Sequence, residues 1–384
     1  VLKLLKRRRK GWVPEIGADR AKGYNMAKAP FKKYKDFDWP IVISALIIFG
    51  VGLLFLFSSL YPNKTDCLFK QLVWFLVGVL TFVLITNINY RNIVGFAGVF
   101  YVLTIGLLIA VLIFGGRRFG AQRWIVIGPV SIQPSEFAKF FVMLTLVHYM
   151  TYCKSPRTLP HILMPILIVL VPFVLIMMEP DLGTALILIP ILFVLMYAWG
   201  VKLGYLIFIG CAGFLLAPFG WFLLRDYQKE RLLVFLDPGK DPLGAGYTII
   251  QSKIAIGSGR LFGKGWLAGT QNQLNFLPER HTDFIFSVIG EEFGFLGGLI
   301  LIGLYYLIIR RAFFIAEKTE DPCGKLLCVG IASMIATQVI INMCMTMGFM
   351  PVVGLPLPLV SYGGSSLLVT IASLAVLEGV AIYR

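Results

Sequence analysis

Charge is scarce in this chain. Asp, Glu, Lys and Arg make up 14% of its 384 residues, against roughly 25% in a soluble domain, and that scarcity excludes an ordinary water-exposed globule. Cysteine is sparse and scattered: Cys67, Cys153, Cys211, Cys323, Cys328 and Cys344 show neither a disulfide framework nor zinc spacing. Most lie in or beside apolar runs, where Cys behaves as a small hydrophobe. His148, His161 and His281 are far apart in sequence, which argues against a His-rich metal centre. Residues 1–38 contain no apolar core and so no cleavable signal peptide of the usual pattern. No polar stretch is long enough for a separate soluble domain.

What is abundant is apolar sequence. Hydrophobic residues make up 58% of the chain and mean hydropathy is +0.82, the composition of an integral membrane protein. A helical span needs about 20 apolar residues, and ten runs qualify: 40–60, 69–88, 93–114, 136–153, 161–178, 182–200, 203–224, 284–309, 326–347 and 364–383. Length favours helix over buried strand in such runs. The expected fold is all-α, a single bundle of ten transmembrane helices (39–384) behind a basic tail (1–38), with one long loop at 225–283.

The formal charge of +15 would suit a nucleic-acid binder, but twelve of the thirty-five Lys and Arg residues precede Phe37. The excess is largely a tail effect, and no nucleic acid is expected. A basic tail before the first span belongs in the cytoplasm and can touch anionic membrane lipid. Met26 is a candidate translation start, which would make residues 1–25 an extension. With ten spans both termini are cytoplasmic, and Arg91, Lys154, Arg157, Lys202, Arg310, Arg311, Lys318, Lys325 and Arg384 lie inside. Lys64, Lys70, Arg117, Arg118, Arg123 and Lys139 lie on the outer side, so the tail decides the orientation. Loops 115–135, 179–181, 225–283 and 348–363 then all open outward.

These four loops carry the unusual chemistry. The first leads from Arg117, Arg118 and Arg123 through Gln133, Pro134 and Ser135 into a helix beginning near Glu136. Pro and a carboxylate suit a first helical turn, and Lys139, three residues on, can pair with Glu136. Capping with an ion pair, or a functional pair facing a cavity near Arg123, both fit. In EPDLGTA (179–185), Asp181 and Thr184 read first as helix caps.

The long connection 225–283 exceeds the usual loop length and is expected to be functional or partly structured. Within it, Gly246–Gly257 mixes apolar residues with Gln251 and Lys253, as a short interfacial amphipathic helix would. GSGRLFGKGWLAG (257–269) fails the nucleotide-loop pattern: Gly265 follows Lys264 where Ser or Thr is required, and no strand precedes it. Its amides and Lys264 could still meet an external phosphate, or the segment could be a plain surface loop. FLPERHTDFIFSVIGEEFGF (276–295) then carries Glu279, Arg280, His281, Asp283, Glu291 and Glu292 across a membrane boundary. An Asp at the helix centre costs roughly 2.5–3.5 kcal/mol on insertion scales, so ionisable groups there point to function. The rival reading of Asp283 is an N-cap shared with Thr282; Glu291 and Glu292, deeper in the span, read as polar packing or relay groups.

The last loop, Gly348–Ser366, is broken by Pro and Gly. Nonhelical backbone at membrane depth needs protein or a watery cavity to satisfy it, so Ser361, Tyr362, Gly363 and Gly364 are expected to line a polar recess. Asn342 in the preceding span reads as interhelical glue.

Taken together, RRFGAQRWIVIGPVSIQPSEFAK, EPDLGTA, FLPERHTDFIFSVIGEEFG and GLPLPLVSYGGSS resemble, in the same order, the SEDS family (shape, elongation, division and sporulation proteins), and most closely its elongation branch. The resemblance covers everything after about residue 38. It implies a peptidoglycan glycosyltransferase of the cytoplasmic membrane that polymerises lipid II on the outer face. It also implies a class B penicillin-binding transpeptidase and the elongation machinery as partners. Carried over by position, Asp283 is the essential aspartate, and Glu136 and Lys139 form the polar helix pair.

The chemistry asks for the same residue types. Glycosyl transfer needs a base for the acceptor hydroxyl and cations for the departing pyrophosphate. Asp283 is the catalytic candidate, although a helix dipole would lower its pKa unless Glu279, Glu136 or desolvation offsets it. Arg123, Lys139, Lys264 and Arg280 are candidates for pyrophosphate, and Gln133, Ser135, Glu136, Glu279, His281, Ser361 and Gly363 for the rest of the substrate recess. No tightly bound cofactor is expected; a divalent cation such as Mg2+ could assist. Direct hydroxyl attack would invert the anomeric centre. A lipid II flippase and a noncatalytic scaffold for the transpeptidase are the alternatives.

Overall fold

In hydrocarbon every backbone amide and carbonyl must be satisfied within the chain, so long apolar runs fold as helices. The computed structural model describes residues 36–384 except 62–65, 119–120, 129, 154–158, 221, 223–225, 238 and 240–244. In chain order the helices are α1 (Trp39–Leu60), α2 (Asp66–Thr86), α3 (Tyr90–Gly95) and α4 (Ala97–Phe114). A three-stranded antiparallel sheet follows, with β1 (Gly116–Arg118), β2 (Ala121–Ile127) and β3 (Val130–Ile132). Then come α5 (Pro134–Tyr152), α6 (Leu159–Met178), α7 (Leu182–Trp199), α8 (Leu203–Gly220), α9 (Asp226–Leu236), α10 (Ala245–Ser258), α11 (Thr270–Gln273), α12 (Ile285–Lys318), α13 (Pro322–Thr346) and α14 (Gly364–Tyr383). The tail up to residue 35, Met26, Lys64, Lys154 and Arg157 lie outside the described residues.

Nine helices among the described residues are long and apolar enough to cross a membrane, so apolar length alone does not support the count of ten. The run expected at 136–153 does fold as a 19-residue helix, α5. Its buried Ser135, Glu136 and Lys139 make it more polar than the other nine. The central helices are α13 and α14, 78% and 83% buried over their apolar windows, while α2 and α8 are only 11% and 6% buried. Leu76, Phe208 and Phe214 accordingly point outward to lipid.

Two departures from regular helix shape the site end. The 34-residue α12 would run roughly 51 Å if straight, and Gly294 breaks it with φ 63° and ψ −157°. The segment after α10 fills the break: the Lys264 and Gly265 amides donate to the Glu291 and Glu292 carbonyls, and the Phe295 and Leu296 amides donate to the Arg260 and Leu261 carbonyls. The Lys264 and Gly265 amides are therefore committed inside the protein, and the expectation that they would meet an external phosphate fails. The second departure is the Pro- and Gly-containing stretch before α14. It is threaded so closely that a Cβ on Gly183 would lie 2.7 Å from the Val353 carbonyl, and one on Gly52 would lie 2.7 Å from the Val360 Cα.

The expected helix at 246–257 forms as α10, with Ile249, Ser252 and Ala255 buried at three-residue spacing. At the opposite end of the bundle Arg311 pairs with Asp38 (3.0 Å), and Arg91 and Tyr90 both meet Asp321 (3.1 and 2.8 Å). The six cysteines are free.

Candidate functional site

The Asp283 turn is held in place through its backbone. Asn342 on α13 donates to the Asp283 carbonyl (3.0 Å), Ser361 Oγ to the Thr282 carbonyl (2.5 Å), and the Tyr362 amide to the His281 carbonyl (2.9 Å). Asn342 also holds the Leu355 carbonyl (2.6 Å), the gluing role its sequence context indicates. Ser361 in turn accepts from the Leu357 amide (2.8 Å), and Gln71 bridges the Ser361 carbonyl and the Gly363 amide at 3.2 Å each. Ser361 and Gly363 thus shape the turn by bracing it.

The Asp283 side chain itself is uncommitted. Phe284 occupies the N-cap of α12 without any side-chain capping bond, so the capping role for Asp283 is set aside. The carboxylate carries no hydrogen bond among the described residues. It faces a cavity of about 140 Å³ lined by Arg231, Thr248, Glu279, Phe284 and Val352 as well. Gly354 sits at φ 72°, and a Cβ there would come within 3.3 Å of Asp283 Oδ2. Desolvation first, then the neighbouring Glu279, push the Asp283 carboxyl up to about 6, against the opposing pull of Arg231 and Arg123. Burial and Glu279, not Glu136, supply the offset that a base requires.

A second network converges on Asp181. Its carboxylate caps α7 through the Thr184 amide (3.3 Å) and accepts from Gln133 Nε2 (2.9 Å) and Ser135 Oγ (2.8 Å). Arg123 Nη1 lies 3.9 Å away on β2. The Gln133 amide donates to Ser365 Oγ (3.1 Å), which ties the start of α5 to the start of α14. One buried carboxylate thus joins the sheet, α5 and α7. Arg231 on α9 donates to the Val352 carbonyl (3.2 Å) and, with Arg123, lines a gap of about 10 Å³ beside the Asp283 cavity. Two guanidiniums therefore stand within electrostatic reach of Asp283.

Other expected residues lie elsewhere. Glu136 and Lys139 do pair (2.8 Å), but both are buried, and Lys139 is claimed again by Gln338 (2.8 Å). They are closed inside the bundle and do not line the described cavity, and Gln338 is in turn anchored on the Pro356 carbonyl (2.9 Å). Lys264 does not stand over the cavity as a cation for phosphate. It pairs with Glu291 (2.8 Å), which also accepts the Gln271 and Asn272 amides at the start of α11. Arg280 donates to the Ser59 and Asn272 carbonyls (2.6 and 2.7 Å) and does not line the described cavity, and burial lowers its pKa. Glu292 accepts from Ser58 (2.5 Å) and Asn272 (3.0 Å), so both deep glutamates act in packing. The His281 ring lies 6.1 Å from that of Tyr362. Glu279, at φ 49°, is exposed at the cavity rim.

Sequence reading passed over Arg231, one of several charges in a long connection, and took Asp181 only as a cap. Among the described residues no group of three or more His, Cys, Asp or Glu is gathered to hold a metal ion.

A profile of the FtsW, RodA and SpoVE family, described as "Cell cycle protein", matches residues 38–384. The chain is 43% identical over 316 residues to the peptidoglycan glycosyltransferase MrdB of Escherichia coli K12, covering 80% of this chain and 84% of that one. It is 33% identical over 408 residues to the peptidoglycan glycosyltransferase RodA of Treponema pallidum, covering 86% and 94%. A chain from a peptidoglycan synthase complex that coordinates polymerization and crosslinking superposes with a TM-score of 0.78 at 34% identity, covering 90% of this chain and 97% of that one. The Thermus thermophilus rod shape determining protein RodA superposes with a TM-score of 0.69 at 31% identity, covering 91% and 97%.

Proposed function

The chain belongs to the FtsW, RodA and SpoVE family of cell cycle proteins, and from that premise we propose that it is a peptidoglycan glycosyltransferase of cell elongation that polymerises lipid II with Asp283 as its general base. The observation that carries the site assignment is a carboxylate with no hydrogen bond among the described residues, raised to about 6, on a cavity shared with Arg231. At neutral pH such a group is mostly ionised yet basic enough to take a proton, a match worth on the order of a hundred- to ten-thousandfold in rate.

In this reading Asp283 removes the proton from the acceptor sugar hydroxyl as the oxygen attacks the anomeric carbon of the donor. The bond to pyrophosphate breaks on the opposite side, which inverts the centre and gives a β-linked chain from an α-linked donor. Arg123 and Arg231 receive the charge that develops on the departing pyrophosphate. Glu279 supports the basicity of Asp283. A divalent cation would have to divide its coordination between the substrate phosphates and one or two carboxylates such as Asp283 and Glu279, in the manner of Mg2+.

The protein is a multi-pass protein of the inner membrane. We place both termini in the cytoplasm and the Asp283 cavity on the outer face, because the basic tail precedes α1 and the Asp283 and Asp181 networks share the opposite end from Asp38, Asp321 and Arg311. The partner is a class B penicillin-binding transpeptidase, a reading supported by the structural likeness to a chain of a peptidoglycan synthase complex. The test is purified protein, with and without that partner, supplied with lipid II in detergent. β-Linked glycan chains support the reading; no polymer in either mixture contradicts it.

A further inference from the structure

Glu179 follows α6 directly, and it is 0% exposed with neither carboxylate oxygen hydrogen bonded among the described residues. No step above uses it. Its turn is gripped by the arginine that lines the small gap beside the Asp283 cavity: Arg123 donates from Nε to the Glu179 carbonyl (3.4 Å) and from Nη2 to the Pro180 carbonyl, while Nη1 lies 3.9 Å from Asp181. The guanidinium thus rests on the backbone of a residue whose own carboxyl is left unpaired.

Ionising that carboxyl would strand a charge in an apolar setting, which favours the neutral acid. It would also add a fourth anion to Asp181, Glu279 and Asp283, against two guanidiniums, in a place that must admit pyrophosphate. We propose that Glu179 is a positioning residue that works as a neutral carboxylic acid: it fills the space behind Arg123 without claiming its charge, and so leaves the guanidinium to Asp181 and the donor's pyrophosphate. The proposal rests on the reading of Asp283 and the two arginines as a glycosyl-transfer site.

The direction of titration agrees. Burial first, then Asp181, push the Glu179 carboxyl up to about 9, opposed by Arg123. Arg231 on α9, and Glu279 and Asp283 before α12, are the charged groups farther round the cavities. Glu136 and Lys139 on α5 neutralise each other at 2.8 Å. The segment Gly348–Ser366 and helix α7 carry no charged residue.

The test combines infrared spectroscopy with a pH profile of polymerisation on the full chain, with its partner present. At pH 7 the spectrum of the protein minus that of Glu179→Gln should show the carbonyl stretch of a protonated acid, and that band should vanish above about pH 9. Glu179→Asp should move the band and keep it. The unsubstituted protein should lose about tenfold in rate between pH 8 and pH 10 as the acid ionises, whereas Glu179→Gln should keep its neutral-pH rate and lose that alkaline fall. Absence of the band at pH 7, an alkaline fall that persists in Glu179→Gln, or an inactive Glu179→Gln with unchanged Tm would overturn the proposal. Asp283→Asn assayed alongside separates the two readings: polymer made by that variant would remove the site assignment while leaving the infrared result standing.

Discussion

Asp181 is the joint on which three elements meet, so its removal should be felt both in stability and at the cavity. Asp181→Ala deletes the α7 cap, worth about 1 kcal/mol. It also deletes two hydrogen bonds from Gln133 and Ser135 to a charged acceptor, each worth about 1.5–3 kcal/mol. Some of this is returned, because Gln133 still reaches Ser135 Oγ at 3.0 Å and no carboxylate need be desolvated. A net loss of about 3–5 kcal/mol results, the usual cost of breaking a buried charged pair from one side. At about 2.1 cal/mol/K of unfolding entropy per residue, a chain of 384 residues shifts by about 1.2 °C per kcal/mol, so Tm in detergent should fall by about 5 °C. Asp181→Asn keeps the volume and one oxygen for the Thr184 amide, so it should lose only about half as much. Arg123 loses its carboxylate neighbour in both, so KM for lipid II should rise even in Asp181→Asn. A double-mutant cycle with Arg123→Ala should then give a coupling of about 0.5–3 kcal/mol. An Asp181→Ala protein with unchanged Tm and unchanged KM would refute the claim that this carboxylate organises this end of the bundle.

Two further outcomes follow from the geometry. Gly294→Ala places a Cβ 2.4 Å from the Gly263 amide nitrogen at a φ of 63°, so it should cost about 3 kcal/mol or more through backbone overlap and strain; thermal unfolding that matches the unsubstituted protein would show that the break in α12 is not needed. Arg231→Ala should lower kcat/KM on lipid II about tenfold or more by removing a cation from the anion side of the cavity, and Arg231→Lys should restore part of it; an unchanged kcat/KM in the alanine variant would remove Arg231 from the site.

The helices were legible because apolar run length is a one-dimensional property, and α10 was legible from its own periodicity. Asn342 is legible as glue for a related reason: a lone polar group inside an apolar run must find a protein partner. The sheet is not legible, since β1 and β3 span three residues each and the seven-residue β2, AQRWIVI, ends in an unbroken apolar run with no alternation. The break at Gly294 is hidden because Gly290, Gly297 and Gly298 crowd the same stretch, nothing marks which glycine breaks the helix, and only the distant 260–265 segment satisfies the freed groups. Lys139 and Lys264 read as candidates for pyrophosphate because sequence shows a charge but not the Glu136 and Glu291 carboxylates that pair with them. Arg231 escaped for the converse reason: only the fold brings α9 beside the turn before α12.

Asp283 bears the central claim, and the most direct measurement is the initial rate of glycan polymerisation from lipid II between pH 5 and pH 8 for the unsubstituted protein and for Asp283→Asn, with Tm recorded for both. A base with its pKa raised to about 6 is ionised above that value and protonated below it, so the unsubstituted rate should climb through about pH 6 and level off near pH 8. Asp283→Asn should lose on the order of a hundredfold or more across the whole range with Tm unchanged. Polymer made at the full rate by Asp283→Asn, or an unsubstituted rate indifferent to pH between 5 and 7, would contradict the account.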